Sequence, residues 1–439
     1  MFEKEAKGSP TASVKDYSAG ESIVEDQESV HFNHGGIDRE KQGSSFLAYF
    51  NVVCVVAGTG SLSLPYALKQ GGWIGLFILI LSWLFSSYTG VILIRCLYHN
   101  GKTRLSSYYE VAEDAFGRVG YWLAFFFTFI ILLGVPTVYM MLAGMNLNSI
   151  AQGSSAELSP GLWTVICCVI VSVPFVFFKS LKEVGFFSAF GTLATLITIL
   201  IFLVQSIRDQ KNHPNVHRDN VIWDQFPVAL SSIVFSFGGN PVYPHAEAGM
   251  RRPQDWNKVV ISALATCMVM YMLIAVPGYY IYGSDVKSPA YASLPSSGAK
   301  IAAEVIITIH VILATPILLT SLALDLEKMF GISTFKFSRV VEFLLRVILR
   351  LSMVVVVAVI AIFVPDFGDF LSLLGAFSNC ALVLMFPVIF YYKLTGVRNK
   401  GIFELIVGAL IIILGIVGLI FGSKSSIESL IGFFQTYNK

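Results

Sequence analysis

Residues 121–156 run for thirty-six positions without a charged side chain, and residues 184–207 do the same for twenty-four. About twenty apolar residues suffice for a helix to cross the hydrocarbon of a bilayer. Inside lipid every peptide N–H and C=O must be satisfied within the protein, which leaves helices or closed barrels. The alternation at period 2 that marks barrel strands is missing here. The chain is therefore expected to be an all-α polytopic membrane protein. Composition agrees, since only 13% of the 439 residues are charged, about half the share of a soluble domain. That excludes a soluble enzyme, a disordered chain and a nucleic-acid binder. A net charge of +2 gives no field that would gather a polyanion.

Long apolar runs separated by short polar loops predict about eleven spans: 43–68, 73–95, 119–150, 161–178, 184–207, 222–248, 256–282, 299–326, 340–364, 368–393 and 402–422. Residues 1–42 read as a disordered tail without a secretory signal, 106–117 as a short surface helix, and 423–439 as a short C-terminal tail. Arg346 and Arg350 interrupt span 9 and are expected to snorkel. The loops hold 15 Lys and Arg on one side and 8 on the other, which predicts a cytosolic N-terminus. The six cysteines show no metal or redox spacing and read as small buried hydrophobes.

Two spans are interrupted. Gly58, Thr59, Gly60 and Ser61 stand in the middle of span 1, with Pro65 beyond. Ser236, Phe237, Gly238, Gly239, Asn240 and Pro241 stand in the middle of span 6. Glycine and proline both weaken a helical ladder. Either motif alone reads equally as a packing glycine and a kink. As a pair, five spans apart, they point to an inverted-repeat carrier with halves at 43–207 and 222–393 and an extra span at 402–422. Freed amides and carbonyls would bind a polar solute, and the positive ends of half-helices suit a carboxylate. The candidate substrate-binding residues are these glycines and their neighbours through Asn240, with Tyr139 (and Thr137 near it) as a lateral wall. For Tyr139, packing is the competing reading.

The run from Gly58 to Ala67 leading into Gly71, Gly72 and Trp73 resembles the first span of the amino acid/auxin permease family. Tyr88-Thr89-Gly90, Lys179-Ser180-Leu181-Lys182, Phe235-Ser236-Phe237-Gly238 and Glu247-Ala248-Gly249-Met250 followed by Pro253 resemble it too. Within the family these motifs look most like fungal vacuolar amino acid transporters and the vesicular inhibitory amino acid transporter of animals. The resemblance implies a leucine-transporter-like fold of 5+5 spans plus one. It implies proton-coupled movement of small neutral amino acids across a vacuolar, lysosomal or vesicular membrane, with the plasma membrane as the alternative. By position, the backbone of 58–61 would take the carboxylate, and 236–240 the amino group or side chain. Gly238-Gly239-Asn240 departs from the family pattern and leaves substrate preference open.

His310 lies a third of the way along span 8 among apolar residues. An ionisable group there is costly, and histidine changes charge nearest physiological pH. It is the proton-coupling candidate, against a neutral histidine bonded across helices. Glu304 reads as its partner or as interfacial. Glu247, Arg251 and Arg252 are gate candidates, with His245 beside them, against a solvated loop pair. Asp325, Glu327 and Lys328 are expected at the interface. Sodium stays open, through span 1 carbonyls with Thr315, Thr320 and Ser321. No midplane carboxylate favours it, so protons are preferred. Nothing calls for a bound metal or cofactor.

A receptor that binds an amino acid and signals through its tail is the competing function; a membrane-embedded enzyme lacks any nucleophile or metal setting. The carrier reading predicts that Gly60→Leu abolishes amino acid binding in a folded protein, measured by equilibrium binding on the purified variant.

Overall fold

The computed structural model describes residues 39–101, 103–177, 185–332, 336–364, 366–398 and 400–437. The expected tail up to residue 38 and the motif at 179–182 lie outside them. Among the described residues nine helices are long and apolar enough to cross a membrane. They become ten when Ser45–Val56 and Gly60–Gly71 are taken as one span bent by 46°. These ten fall on expected spans 1–5 and 7–11. Span 6 is present as two pieces, Phe226–Ser236 and Tyr243–Ala248, each too short to cross alone.

Local chemistry sets many of the boundaries. Ser44, Ser107, Ser297, Ser338 and Asp366 each accept an amide of the first turn that follows, starting spans 1, 3, 8, 9 and 10. The surface helix and span 3 form one element, Tyr108–Ala151, broken at Gly117, whose φ of 66° only glycine adopts without strain. Span 10 (Phe367–Thr395) carries π-helical turns over Gly375–Met385. Two ends differ from expectation. Span 11 runs on as helix through Ser423–Tyr437, where a short tail is expected. The last residues of the N-terminal tail are docked: Arg39–Lys41 form a 3-10 turn, and Gly43 bridges Met250.

Among the long helices spans 3 and 10 are the most buried, at 72% and 78% of their most apolar stretch, against 28%, 22% and 28% for spans 4, 9 and 11. Span 9 (Arg339–Phe363) turns Val340, Ile348, Val355 and Phe363 outward. Its arginines do not snorkel. Arg350 is fully buried, donating from Nε to Glu327 at 2.8 Å and from Nη1 to the Phe175 carbonyl of span 4 (Pro160–Phe177) at 2.7 Å. Arg346 pairs with Glu327 at 3.3 Å and with Glu342. Glu327, near the end of span 8, is buried against protein. It is the carboxylate that ties span 8 (Gly298–Met329) to span 9, satisfied internally because lipid offers no alternative. Glu327→Gln leaves two guanidinium groups short of their anion and is expected to cost about 3–5 kcal/mol. A clear fall in the melting temperature of the purified protein is the readout.

Candidate functional site

Span 1 stops being helical at Val56. The Ala57 amide still reaches Val53 at 2.7 Å, but those of Gly58 and Thr59 have no backbone partner among the described residues. Ser61 is the local cause. Its Oγ and N both donate to the Gly58 carbonyl, at 2.8 and 3.2 Å, and close a turn. The twelve-residue half-helix Gly60–Gly71 therefore presents its positive end at membrane depth. Tyr139 of span 3 stands over this point, since a side chain at Gly58 would meet its hydroxyl at 2.8 Å. Thr137 instead donates to Leu133 in its own helix.

Span 6 crosses its break in tight turns: Gly238 N to Phe235 O at 3.0 Å, Gly239 N to Phe237 O at 2.9 Å, and Val242 N to Gly239 O at 3.0 Å. The two breaks touch. A side chain on Gly60 would lie 2.9 Å from the Ser236 Cα, so Gly60 packs at the crossing and does not face open space. A leucine there would act by forcing spans 1 and 6 apart, and not by filling a cavity. Gly238 abuts the Asn379 carboxamide of span 10, and Gly239 abuts the Tyr243 ring. Ser61, Ser236, Phe237 and Asn240 are buried at this junction.

Tyr271 of span 7 (Trp256–Tyr282) joins the two breaks. Its buried hydroxyl lies within hydrogen-bond reach of the Val56 carbonyl, at 2.8 Å, and of the Ser236 carbonyl. One O–H donates to one of them at a time. Nothing local in the sequence distinguishes it from the other tyrosines of the chain, 18 in all.

His310 is 3% exposed. Its ring lies 6.4 Å from that of Tyr139, and its Nε2 has no hydrogen-bond partner among the described residues. Gly191 of span 5 (Gly185–Asp209) makes room for it, because a side chain there would meet the ring at 2.5 Å. Glu304 is neither its partner nor interfacial; it is buried and accepts from Ser149 at 2.9 Å. The three span 8 hydroxyls do not converge. Thr315 and Thr320 lie about 140° apart on the helix, and Thr315 and Ser321 donate to their own helix.

At the end of span 6, Glu247 is fully buried, and its partners are not the expected arginines. It accepts from Arg39 at 3.0 Å, from Arg104 at 2.7 Å and from the Tyr98 hydroxyl at 2.6 Å. Arg39 also donates to the Glu247, Ala248 and Met250 carbonyls, capping the negative end of the half-helix. Arg251 and Arg252 are exposed, because the chain turns out of the bundle after Ala248. His245 lines a small cleft with Asp325, which accepts from Tyr109 at 2.5 Å; Lys328 stays exposed.

Two facing breaks in otherwise continuous helices define a transporter of the leucine-transporter-like fold. Solved transporters agree. Mhp1, a nucleobase-cation-symport-1 family transporter solved with bromovinylhydantoin bound, superposes with a TM-score of 0.56 at 13% identity, over 92% of this chain and 95% of that one. MhsT, solved with L-phenylalanine, gives 0.53 at 11% identity, over 86% and 99%. Residues 41–428 match the family model described as "Transmembrane amino acid transporter protein", and the chain belongs to that family. Amino acid transporter AVT1J of Arabidopsis thaliana is 29% identical over 96% of this chain and 99% of its own length. The vesicular inhibitory amino acid transporter of Macaca fascicularis is 25% identical over 94% and 80%. The enzyme reading falls with that membership.

Tyr271→Phe keeps the ring against Phe237, with centroids 5.1 Å apart, and removes only the shared hydroxyl. Amino acid binding is expected to weaken about three- to tenfold, measured by equilibrium binding alongside an otherwise similar melting curve.

Proposed function

We propose that this protein is a secondary active transporter that moves neutral amino acids by alternating access, driven by a proton gradient. The observation that carries the reading is the pair of facing breaks, with the Gly58 and Thr59 amides unpaired at the positive end of a half-helix. A zwitterion's carboxylate supplies the acceptor those amides lack. The crossing of Gly60 and Ser236 closes over the site in this conformation, and exchange requires spans 1 and 6 to part.

His310 is the proposed coupling group, a buried imidazole beside Tyr139 whose Nε2 has no hydrogen-bond partner among the described residues. Glu247, held by Arg39 and Arg104, is the proposed gate at the N-terminal end of the bundle. The excess of Lys and Arg on that side supports a cytosolic N-terminus. The motif resemblance and the vesicular relative support an internal membrane of the vacuolar, lysosomal or vesicular kind.

Purified protein in sealed vesicles with an imposed pH gradient is expected to accumulate labelled neutral amino acids and to lose them when a protonophore is added. His310→Ala is expected to flatten the pH dependence of uptake while equilibrium binding persists. Absence of uptake for every neutral amino acid rejects the proposal. Uptake that follows a sodium gradient and ignores pH transfers the coupling to sodium.

A further inference from the structure

The π-helical turns of span 10 lie against the break in span 6. Such turns are rare, and they cluster at functional sites because they re-aim side chains that an α-helical register would place elsewhere. Asn379 stands in them, 1% exposed, and its Nδ2 donates to the Phe235 carbonyl at 3.4 Å. The carboxamide presses on Gly238, where an added Cβ would lie 2.2 Å from Nδ2. Asn240, inside the break and fully buried, reaches the other way, donating to the Val383 carbonyl of span 10 at 3.4 Å. The two carboxamides therefore interlock across one seam.

Carbonyl oxygens only accept, so these contacts fix which end of each amide is nitrogen. The oxygens are left over. Among the described residues neither the Asn240 Oδ1 nor the Asn379 Oδ1 has a hydrogen-bond partner. A buried acceptor left unmet costs about 1–3 kcal/mol, and the two carboxamides that carry these oxygens bridge the same pair of spans. What is missing is a group that brings N–H or O–H. No carboxylate stands among these residues to balance a bare cation, so an uncharged donor fits best.

We propose that Asn240 and Asn379 form the side-chain subsite of the substrate, and that the preferred substrates are small neutral amino acids bearing an amide or hydroxyl. This rests on the transport reading above and adds selectivity to it. A site built to bond a polar group rejects the apolar isostere, because the site's own polar atoms are then left unpaired.

The test uses isosteric pairs, asparagine against leucine and threonine against valine, competing for uptake of labelled substrate in vesicles. The polar member is expected to compete about tenfold better or more. In Asn379→Leu that ratio is expected to fall toward unity with leucine and valine uptake retained. Asn379→Ala serves where the leucine variant does not fold, with the same fall expected. Wild-type protein that handles leucine and valine as well as their polar partners overturns the subsite and leaves transport standing. A ratio unchanged by both substitutions overturns it as well, as does a loss of sodium dependence in their place, which gives the seam to a cation. No uptake of any amino acid removes the transport reading and this inference together.

Discussion

A peptide group inside a bilayer has no water to turn to, and the architecture around the two interrupted spans follows from that requirement. Each break frees carbonyls and amides that something in the protein must meet. Ser61 takes the Gly58 carbonyl, Tyr271 is shared between Val56 and Ser236, and Asn379 takes Phe235. The amides of Gly58, Thr59, Gly60 and Asn240 have no backbone partner among the described residues. The fold thus supplies partners for these carbonyls and leaves amides for something that enters from outside.

The number and placement of the spans were legible because hydrophobic length is a local property. Charge-free runs such as 121–156 announce themselves, and the glycine and proline clusters of spans 1 and 6 mark breaks wherever they occur. Partner choice was not legible, because it depends on which helices meet. Glu247 stands four residues from Arg251 in the chain, yet binds Arg39 and Arg104, one about two hundred and the other about one hundred and forty residues away. Arg350 reads as a snorkelling interruption until span 8 brings Glu327 to it. Asn379 was visible as a lone carboxamide in an apolar run, but nothing local says that Gly238 makes room for it.

The glycines divide by what they face. Gly60 stands against the Ser236 backbone of span 6, Gly238 against the Asn379 carboxamide of span 10, and Gly58 against the Tyr139 hydroxyl of span 3 and the Val55 carbonyl. Gly60 therefore governs how closely two backbones approach, and the other two make room for a polar side chain of a neighbouring span. Sequence alone treats all three alike.

The guanidinium of residue 39 holds three carbonyls at the foot of the second half-helix, and Gly43 exchanges two backbone hydrogen bonds with Gly249 and Arg251. This strap lies across the mouth of the bundle. A relative movement of these two ends would have to break the five hydrogen bonds together, so the start of span 1 and the end of span 6 are coupled as one unit.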